Sequence, residues 1–429
     1  MDYSREPHGL FFMIDNKSFY ASVECVARGL DPLKATLIVM SETKNTGRGL
    51  VLAASPMAKK QFKISNVDRA YEVPDDPRLM VVPPRMNLYI RKNLVINQLF
   101  RQFAAGAQCW PYSIDETIID MTHSWRLFGK TPDEVAQRIQ RTVYQRLGLY
   151  VTVGIGQNPV QAKLALDLFA KHSPNLRGSL SYQTFASMVW PVNDLTKIWS
   201  IGQRTASHLE SYGIHSLGDL AKSNPYWIGS RLGVIGKQLY ALAWGIDRSE
   251  LNRFSPSRER SWSNSQVLPR DYHTEEEIAV VIKEIGQQVT SRMRHHGEAA
   301  GEIGLSIGFS GYTMGRSGFA HHHRIATTAD SREIVKELLL MFKQEWDGES
   351  VRNIAVSLGR LSKLSGQQLS LFSPAQKQVK QYQFDRLVDQ LRDRFGPTAV
   401  FYGTSLKRGG TMLERAGLVG GHNGGNSFE

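Results

Sequence analysis

Three acids in this chain have the residue type and setting to do chemistry. "LFFMID" (residues 10–15) is a continuous apolar run ending on Asp15, the pattern of a buried strand whose last residue emerges at a sheet edge. Further along, "YSIDETIID" (residues 112–120) sets Asp115 and Glu116 side by side in a run that otherwise reads as a strand, where adjacent side chains point to opposite faces. Burying a charge without a partner is expensive, so the pair needs something positive nearby. A mixed sheet that brings Asp15 to this pair would gather three carboxylates for two Mg²⁺ ions, since hard cations take oxygen ligands. Two such ions can activate an attacking hydroxyl and neutralise a leaving pyrophosphate. On spacing alone the same acids also read as surface or capping groups, and Asp15, just before "NKSF", suits a helix N-cap.

Elements must position these acids. "NKSFYASVECVARGL" follows the first run with Phe19, Val23 and Val26 at helical spacing, so a strand–acid–helix unit opens the fold. "ATLIVM" and "RGLVLAAS" predict short strands around the turn "TKNTG". "PMAKKQFKI" predicts a short basic helix, and the Pro-rich "YEVPDDPRLMVVPP" an irregular boundary. Residues 87–103 predict a long amphipathic helix, and "TPDEVAQRIQRTVYQRLG" a helix with a Thr cap and Pro at its first position. "YVTVGIG" predicts a strand, and "NPVQAKLALDLFAKHSP" a helix carrying Lys163 and Lys171. The alternation from 10 to 175 indicates one α/β layer domain with a small lobe inserted near 27–84.

From about residue 178 short helices rich in Trp and Leu take over, and "WGIDRSELNRFSPSRER" reads as a linker. "GEIGLSIGFSG" and "NIAVSLGRL" alternate at strand period around helical patterns at 274–294 and 331–345, predicting a β-α-β-β-α-β unit. "YQFDRLVDQLRDRFG" then predicts an amphipathic helix before a Gly-rich end. A chain of 429 residues is expected to hold two to four domains. Its 52 Lys and Arg against 40 Asp and Glu give +12, which favours a polyanionic partner, nucleic acid ahead of an acidic membrane. Cys25 and Cys109 offer neither a disulfide framework nor a zinc spacing. The apolar runs are too short to span a bilayer, and "MDYSREPHG" does not read as a signal peptide, so a cytoplasmic protein is expected.

Taken together, "IDNKSFYASVE" (residues 14–24), "YSIDE" (residues 112–116) and "VGIGQNPVQAKLALDLFAK" (residues 153–171) resemble the palm motifs of Y-family DNA polymerases, the translesion enzymes. The resemblance extends over residues 10–372 and is strongest to the UmuC-like branch of Gram-positive bacteria. It implies an α/β multidomain right hand: palm at 1–26 and 85–177, small fingers at 27–84, and a helical thumb with a helix-hairpin-helix at 178–246. A linker at 247–257, a β-α-β-β-α-β little finger at 258–363 and a C-terminal tail at 364–429 complete it.

The resemblance also implies roles. Asp15 and Asp115 would bind both Mg²⁺ ions (Mn²⁺ being the usual substitute), Asn16 would lend its main-chain carbonyl, and Glu116 would hold the ion beside the primer 3′-hydroxyl. Tyr20, with Phe19 beside it, falls at the steric gate that excludes a ribose 2′-hydroxyl, and Lys163 at a triphosphate-contacting lysine. Many members carry Tyr-x-x-Arg in the small lobe, whereas this chain has "SPMAKKQF". Lys59 or Lys60 would substitute there, as point charges without a guanidinium fork.

In "IWSIGQRTASHLESYGIHSLGDLA" Ser200 replaces the usual first hairpin glycine, and Ser200 and Gly202 would present main-chain N–H groups to DNA phosphates. Arg258, Arg260 and Arg270 would contact the duplex backbone. "QLSLF", with Gln368, Leu369, Leu371 and Phe372, resembles the bacterial sliding-clamp peptide. A recombinase filament or an accessory SOS subunit would be further partners, with primer-template DNA and dNTPs as substrates and a nucleoid-associated location. The activity implied is error-prone translesion synthesis in SOS-type damage tolerance. Two other readings compete. A two-metal nuclease would use the same acids but leaves Tyr20 and Lys163 without a role. A catalytically idle scaffold for DNA and clamp would not need Asp15, Asp115 and Glu116 intact.

Overall fold

A computed structural model describes residues 1–42, 49–252, 260–313, 316–364 and 374–424. The opening strand β1 (Phe11–Asn16) leads into α1 (Phe19–Ala27). A small lobe follows, built from β2 (Leu37–Ser41), β3 (Leu50–Ala54), α2 (Pro56–Phe62) and β4 (Met80–Val82). The chain returns through α3 (Met86–Phe100), β5 (Cys109–Pro111) and β6 (Glu116–Asp120). Next come α4 (Pro132–Leu147), β7 (Val151–Gly156), α5 (Pro159–Leu164) and β8 (Arg177–Ser179). The main sheet runs β5-β6-β1-β7-β8, with β1 central and antiparallel to both β6 and β7.

Alternation along β1 decides what covers it. Phe12 and Ile14 enter the core under α1, α3 and α4, while Met13 packs on the other face against Ala162 and Leu166. Covered on both faces, β1 can be apolar throughout until Asp15. Helix α4 starts as its sequence predicts, Thr131 Oγ1 accepting from Glu134 N at 3.2 Å ahead of Pro132. Helix α5 lies directly on the sheet backbone. A Cβ on Gly154 would stand 2.2 Å from Ala162 O, and one on Gly156 2.3 Å from Ala162 N, so only glycine permits the approach.

The single helix expected over 159–172 is broken. After α5 comes a π turn over Ala165–Phe169 and then a 3₁₀ turn over Ala170–His172. Uninterrupted α-helix would rotate Lys171 about 80° away from Lys163. The wider turn takes up that excess and returns both lysines to one side. Strand β4 was not legible in its Pro-rich surroundings, because three residues paired parallel to β2 carry no periodic signal.

Helices α6 (Tyr182–Val189), α7 (Gln203–Glu210), α8 (Leu217–Lys222) and α9 (Pro225–Ala243) share one apolar cluster. The later unit reads β9 (Trp262–Tyr272), α10 (Glu275–His295), β10 (Glu298–Thr313), β11 (Arg316–Thr328), α11 (Ser331–Glu345) and β12 (Val351–Lys363), the predicted β-α-β-β-α-β order. Its sheet runs β11-β10-β12-β9. Ile303, Leu305 and Ile307 face the core beneath α10 and α11. The opposite face carries small residues across the register, Gly304 beside Ser357 and Ser306 beside Ala355.

The C-terminal region folds back on this unit. Helix α12 (Ala375–Phe395) docks on α10, and Thr411, ahead of α13 (Met412–Arg415), donates its N–H and hydroxyl to Glu284 Oε2, each at 3.0 Å. A short hairpin, β13 (Leu418–Val419) and β14 (His422–Asn423), ends where Gly424 O accepts from Asn87 N at 2.9 Å in the first turn of α3.

Candidate active site

The register of β1 against β6 pairs Asp15 with Glu116. Asn16 N and Asn16 Nδ2 both donate to Asp115 O, at 2.9 and 3.0 Å. All three acids therefore meet at one end of the β1–β6 pair. The side-by-side carboxylates have a simple origin. Asp115 is not in the strand, because residues 112–115 bend and close with Tyr112 N and Ser113 N donating to Glu116 O at 2.8 and 3.0 Å. The two-residue alternation starts only at Glu116, so both acids can aim at one place. Nor does Asp15 cap a helix, since α1 begins after Ser18, which holds a left-handed φ of 48°.

Burial pushes the Asp15 carboxyl up to about 6. Lys171 opposes the rise, Asp115 and Glu116 add to it, and Lys163 opposes it. Both lysines sit on the acids. Lys163 Nζ lies 2.7 Å from Glu116 Oε1 and 3.1 Å from Asp167 Oδ2. Lys171 Nζ lies 3.9 Å from Asp15 Oδ1, 3.7 Å from Glu116 Oε1 and 2.8 Å from Asp167 Oδ1. Lys17 is lowered by burial, with Asp15 pulling the other way, and Lys59 is lowered by burial and by Lys17, with Asp15 again opposing. The acids thus face Lys163 and Lys171 directly, with the charges of Lys17 and Lys59 felt from further out.

Both small-lobe lysines are exposed, and Lys59 is the one within electrostatic reach of Asp15. Lys17 and Lys171 were not singled out as site residues from sequence. For Lys17 the signal was adjacency to the acid motif, and for Lys171 the second Ala-Lys of its stretch.

The donors gathered here are all oxygen, which suits Mg²⁺ rather than a thiolate- or imidazole-seeking metal. Asn16 Oδ1 is buried among them without a hydrogen-bond partner. The ammonium groups of Lys163 and Lys171 both lie on Glu116 Oε1 in this arrangement. The backbone juxtaposes the acids, Asp15 beside Glu116 in the register and Asp115 O bound by Asn16.

Tyr20 is half-buried and stacks on Tyr89, ring centroids 4.4 Å apart at 15°. Its phenol is pushed up by burial and then by the charge of Asp115. Tyr89 donates to Glu24 Oε1 at 2.8 Å, and Glu24, fully buried, also binds Arg85 at 2.7 Å and Arg28. This network ties α1 to α3 beneath Tyr20. Phe19 belongs to the core at 3% exposure, so of this aromatic pair Tyr20 is the one left part-exposed.

Ser200 adopts φ 74°, the left-handed conformation a hairpin glycine would take, and Gly202 opens onto free space at the start of α7. What precedes the turn is a 3₁₀ segment, Leu195–Lys197, rather than a full helix. Trp199 Nε1 donates to Tyr112 Oη at 3.2 Å, linking this turn to the acid bend. A second glycine turn went unnoticed in the sequence: Gly233 breaks α9 at φ 62° and leaves Val234 and Ile235 exposed. Its signal was the tetrad "GVIG".

The arginines fare differently. Arg260 pairs with Glu298 at 2.5 Å and Arg270 with Glu277 at 2.6 Å. Both acids are buried, while the Arg260 and Arg270 side chains stay 66 and 45% exposed. Arg258 and the peptide Gln368, Leu369, Leu371 and Phe372 lie outside the described residues.

The model of the impB/mucB/samB family matches residues 14–167, and that of the impB/mucB/samB family C-terminal domain matches residues 259–371. The chain is 38% identical to the UvrX protein of Bacillus subtilis (strain 168), whose name ties it to UV-damage repair, over 98% of this chain and 99% of that protein. It is 34% identical to DNA polymerase IV 2 of the same organism over 96% of this chain and 98% of that one. In structure it is similar to a Y-family DNA polymerase chimera, Dbh-Dpo4(243-245)-Dbh, with a TM-score of 0.67 at 20% identity, covering 82% of this chain and 99% of that one.

Proposed function

The chain belongs to the impB/mucB/samB family of Y-family translesion polymerases and is a DNA-directed DNA polymerase, and from that premise we propose that it extends primers past damaged template bases by nucleotidyl transfer at Asp15, Asp115 and Glu116. The observation that carries this reading is the meeting of the three acids at one end of the β1–β6 pair. Asp15, Asp115 and the Asn16 carbonyl would hold one Mg²⁺, and Glu116 with both aspartates a second. When bound, the pair supplies a more nucleophilic primer hydroxyl and charge neutralisation for departing pyrophosphate.

The chain's own residues prepare that site. Lys163 and Lys171 neutralise the carboxylates in the metal-free protein. Lys171, with Lys17 and Lys59, then offers cations to an incoming triphosphate. Lys163, paired with Glu116 and Asp167 before the metals arrive, would turn to the same triphosphate. Tyr20, braced by Tyr89, packs under the sugar and leaves no room for a 2′-hydroxyl.

In this reading the main sheet is the palm, 27–84 the fingers, 178–246 the thumb, 247–257 a linker, 258–363 the little finger and 364–429 a tail. DNA runs along the small-residue face of the later sheet and over the glycine turns at Ser200 and Gly233, whose main-chain N–H groups meet phosphates without reading sequence. The clamp peptide at Gln368–Phe372 and SOS-type control complete the proposal. Primer extension on damaged and undamaged templates, with and without Mg²⁺ and the clamp, tests it. Asp115→Ala and Glu116→Ala are each expected to lower extension by about 10²-fold or more. DNA shortening without extension would establish the nuclease reading instead, and an Asp115→Ala protein with unchanged behaviour the scaffold reading.

A further inference from the structure

Helix α12 is mounted with its polar side inward. Arg294 Nε and Nη2 donate to Asp389 at 2.7 and 3.0 Å, and Nη1 donates to Asp385 at 3.2 Å. Ser291 Oγ donates to Asp389 Oδ1 at 2.7 Å, and Ser331 N donates to Asp385 Oδ2 at 3.0 Å. An amphipathic helix ordinarily turns its apolar stripe to the core. Here Phe384, Leu387, Leu391 and Phe395 fall on one sector at helical spacing, and Phe384, Leu387 and Phe395 remain 43, 52 and 62% exposed. Rolling the helix to bury that stripe would strip two buried carboxylates of Arg294, leaving uncompensated charge in the interior. The outward stripe is therefore built in.

Its borders carry one sign of charge. At 100° per residue, Lys377 and Lys380 extend the stripe at its N-terminal end, Gln383 and Gln390 flank it, and Arg394 borders its far end. Asp393 lies on another sector and is bound to His295 at 2.7 Å. The same helical layer also holds, between α10 and α11, a cavity of about 410 Å³ walled by Val335, Leu339 and Leu340 and edged by Lys283, Arg332 and Lys336.

We infer that the outer face of α12 is the docking surface for an acidic amphipathic helix of a partner protein. Apolar anchors at i, i+3 and i+7 fit a helix seam, and cationic borders select carboxylate flanks. A second copy would set like charges against each other. Duplex DNA has no use for a Phe/Leu stripe, and the stripe sits on the helical side of its unit, opposite the small-residue sheet face.

The test uses the full chain and two synthetic three-heptad helices with the same Leu seam, one flanked by Glu and one by Lys. Fluorescence anisotropy is expected to show the Glu helix binding at least about tenfold more tightly than the Lys helix at low salt. The pair Leu387→Asp and Phe395→Asp should weaken that binding about tenfold, with helix content and primer extension in the absence of peptide unchanged. Equal binding of both helices, or binding indifferent to the substitutions, overturns the inference. So does a dimer in sedimentation that the substitutions dissolve, which assigns the face to a second copy. Loss of binding to duplex DNA or to phosphatidylserine vesicles on substitution, in place of loss of peptide binding, also overturns it.

Discussion

Asp15 is pulled in opposite directions by burial, two carboxylates and two lysines, and its proton records the balance. With its folded value raised from 3.8 to about 6, the folded state holds this proton more tightly than the unfolded chain does. Ionised Asp15 thus penalises the metal-free fold above pH 6, and the penalty fades as pH falls from about 6 towards 3.8. Asp15→Asn is expected to raise the metal-free protein's stability at pH 7.5 by roughly 2–3 kcal/mol in denaturant unfolding while abolishing primer extension. Mg²⁺ should raise the wild-type Tm and leave the variant's unmoved. Ser200 is a second residue held against its preference, at φ 74°. Ser200→Gly should stabilise by about 0.5–1 kcal/mol, because the left-handed strain it relieves exceeds the chain entropy glycine adds. A loss of stability in that variant would mean the serine side chain is needed in the turn.

At the scale of elements, one device places the chemistry and another fixes which face of a helix is presented. Gly154 and Gly156 let α5 rest on the backbone of β7, and the π turn after it swings Lys171 back towards the acids. Gly156→Ala should cost about 3 kcal/mol, read as a lowered denaturation midpoint, since the clash is with backbone and cannot relax. The other device is the charged latch under α12. Arg294→Ala is expected to cost about 3–5 kcal/mol by leaving Asp385 and Asp389 buried and unpaired. Hydrogen exchange would report it as early opening of α12 while the main sheet stays protected. Uniform destabilisation of the whole chain in that experiment would rule out a local latch.

Across the whole molecule, the C-terminal end joins units far apart in sequence. Thr411 is fixed to Glu284 of the later unit, and Gly424 satisfies Asn87 N, one of the first-turn donors that α3 cannot satisfy itself. Helix α3 also carries Tyr89 beneath Tyr20, and Asn93 donates to Ile114 O at 2.8 Å beside the acid bend. The tail therefore braces the element that supports the site. Removing residues 417–429, and with them the β13–β14 hairpin, should leave the other elements intact but speed amide exchange at Asn87 and in the first turn of α3. Unchanged exchange there would show the brace to be dispensable.

Much of this was readable before folding was considered. The apolar run to Asp15, the capped start of α4 and the β-α-β-β-α-β order are local patterns, in which hydrophobic period and cap chemistry act within a few residues. The acids were recognisable because their neighbours along the chain form motifs. What could not be read lies in contacts between distant segments: Lys171 on Asp15, Glu277 and Glu298 claiming Arg270 and Arg260, and Gly424 reaching Asn87. Phe19 and Tyr20 look alike in sequence, and only packing sent one to the core and left the other half-buried against Tyr89. The stripe on α12 was legible as amphipathic, yet which face turned inward depended on Arg294, a residue on another helix. Local pattern decides what an element is. Desolvation and pairing between elements decide which of its faces the rest of the molecule will meet.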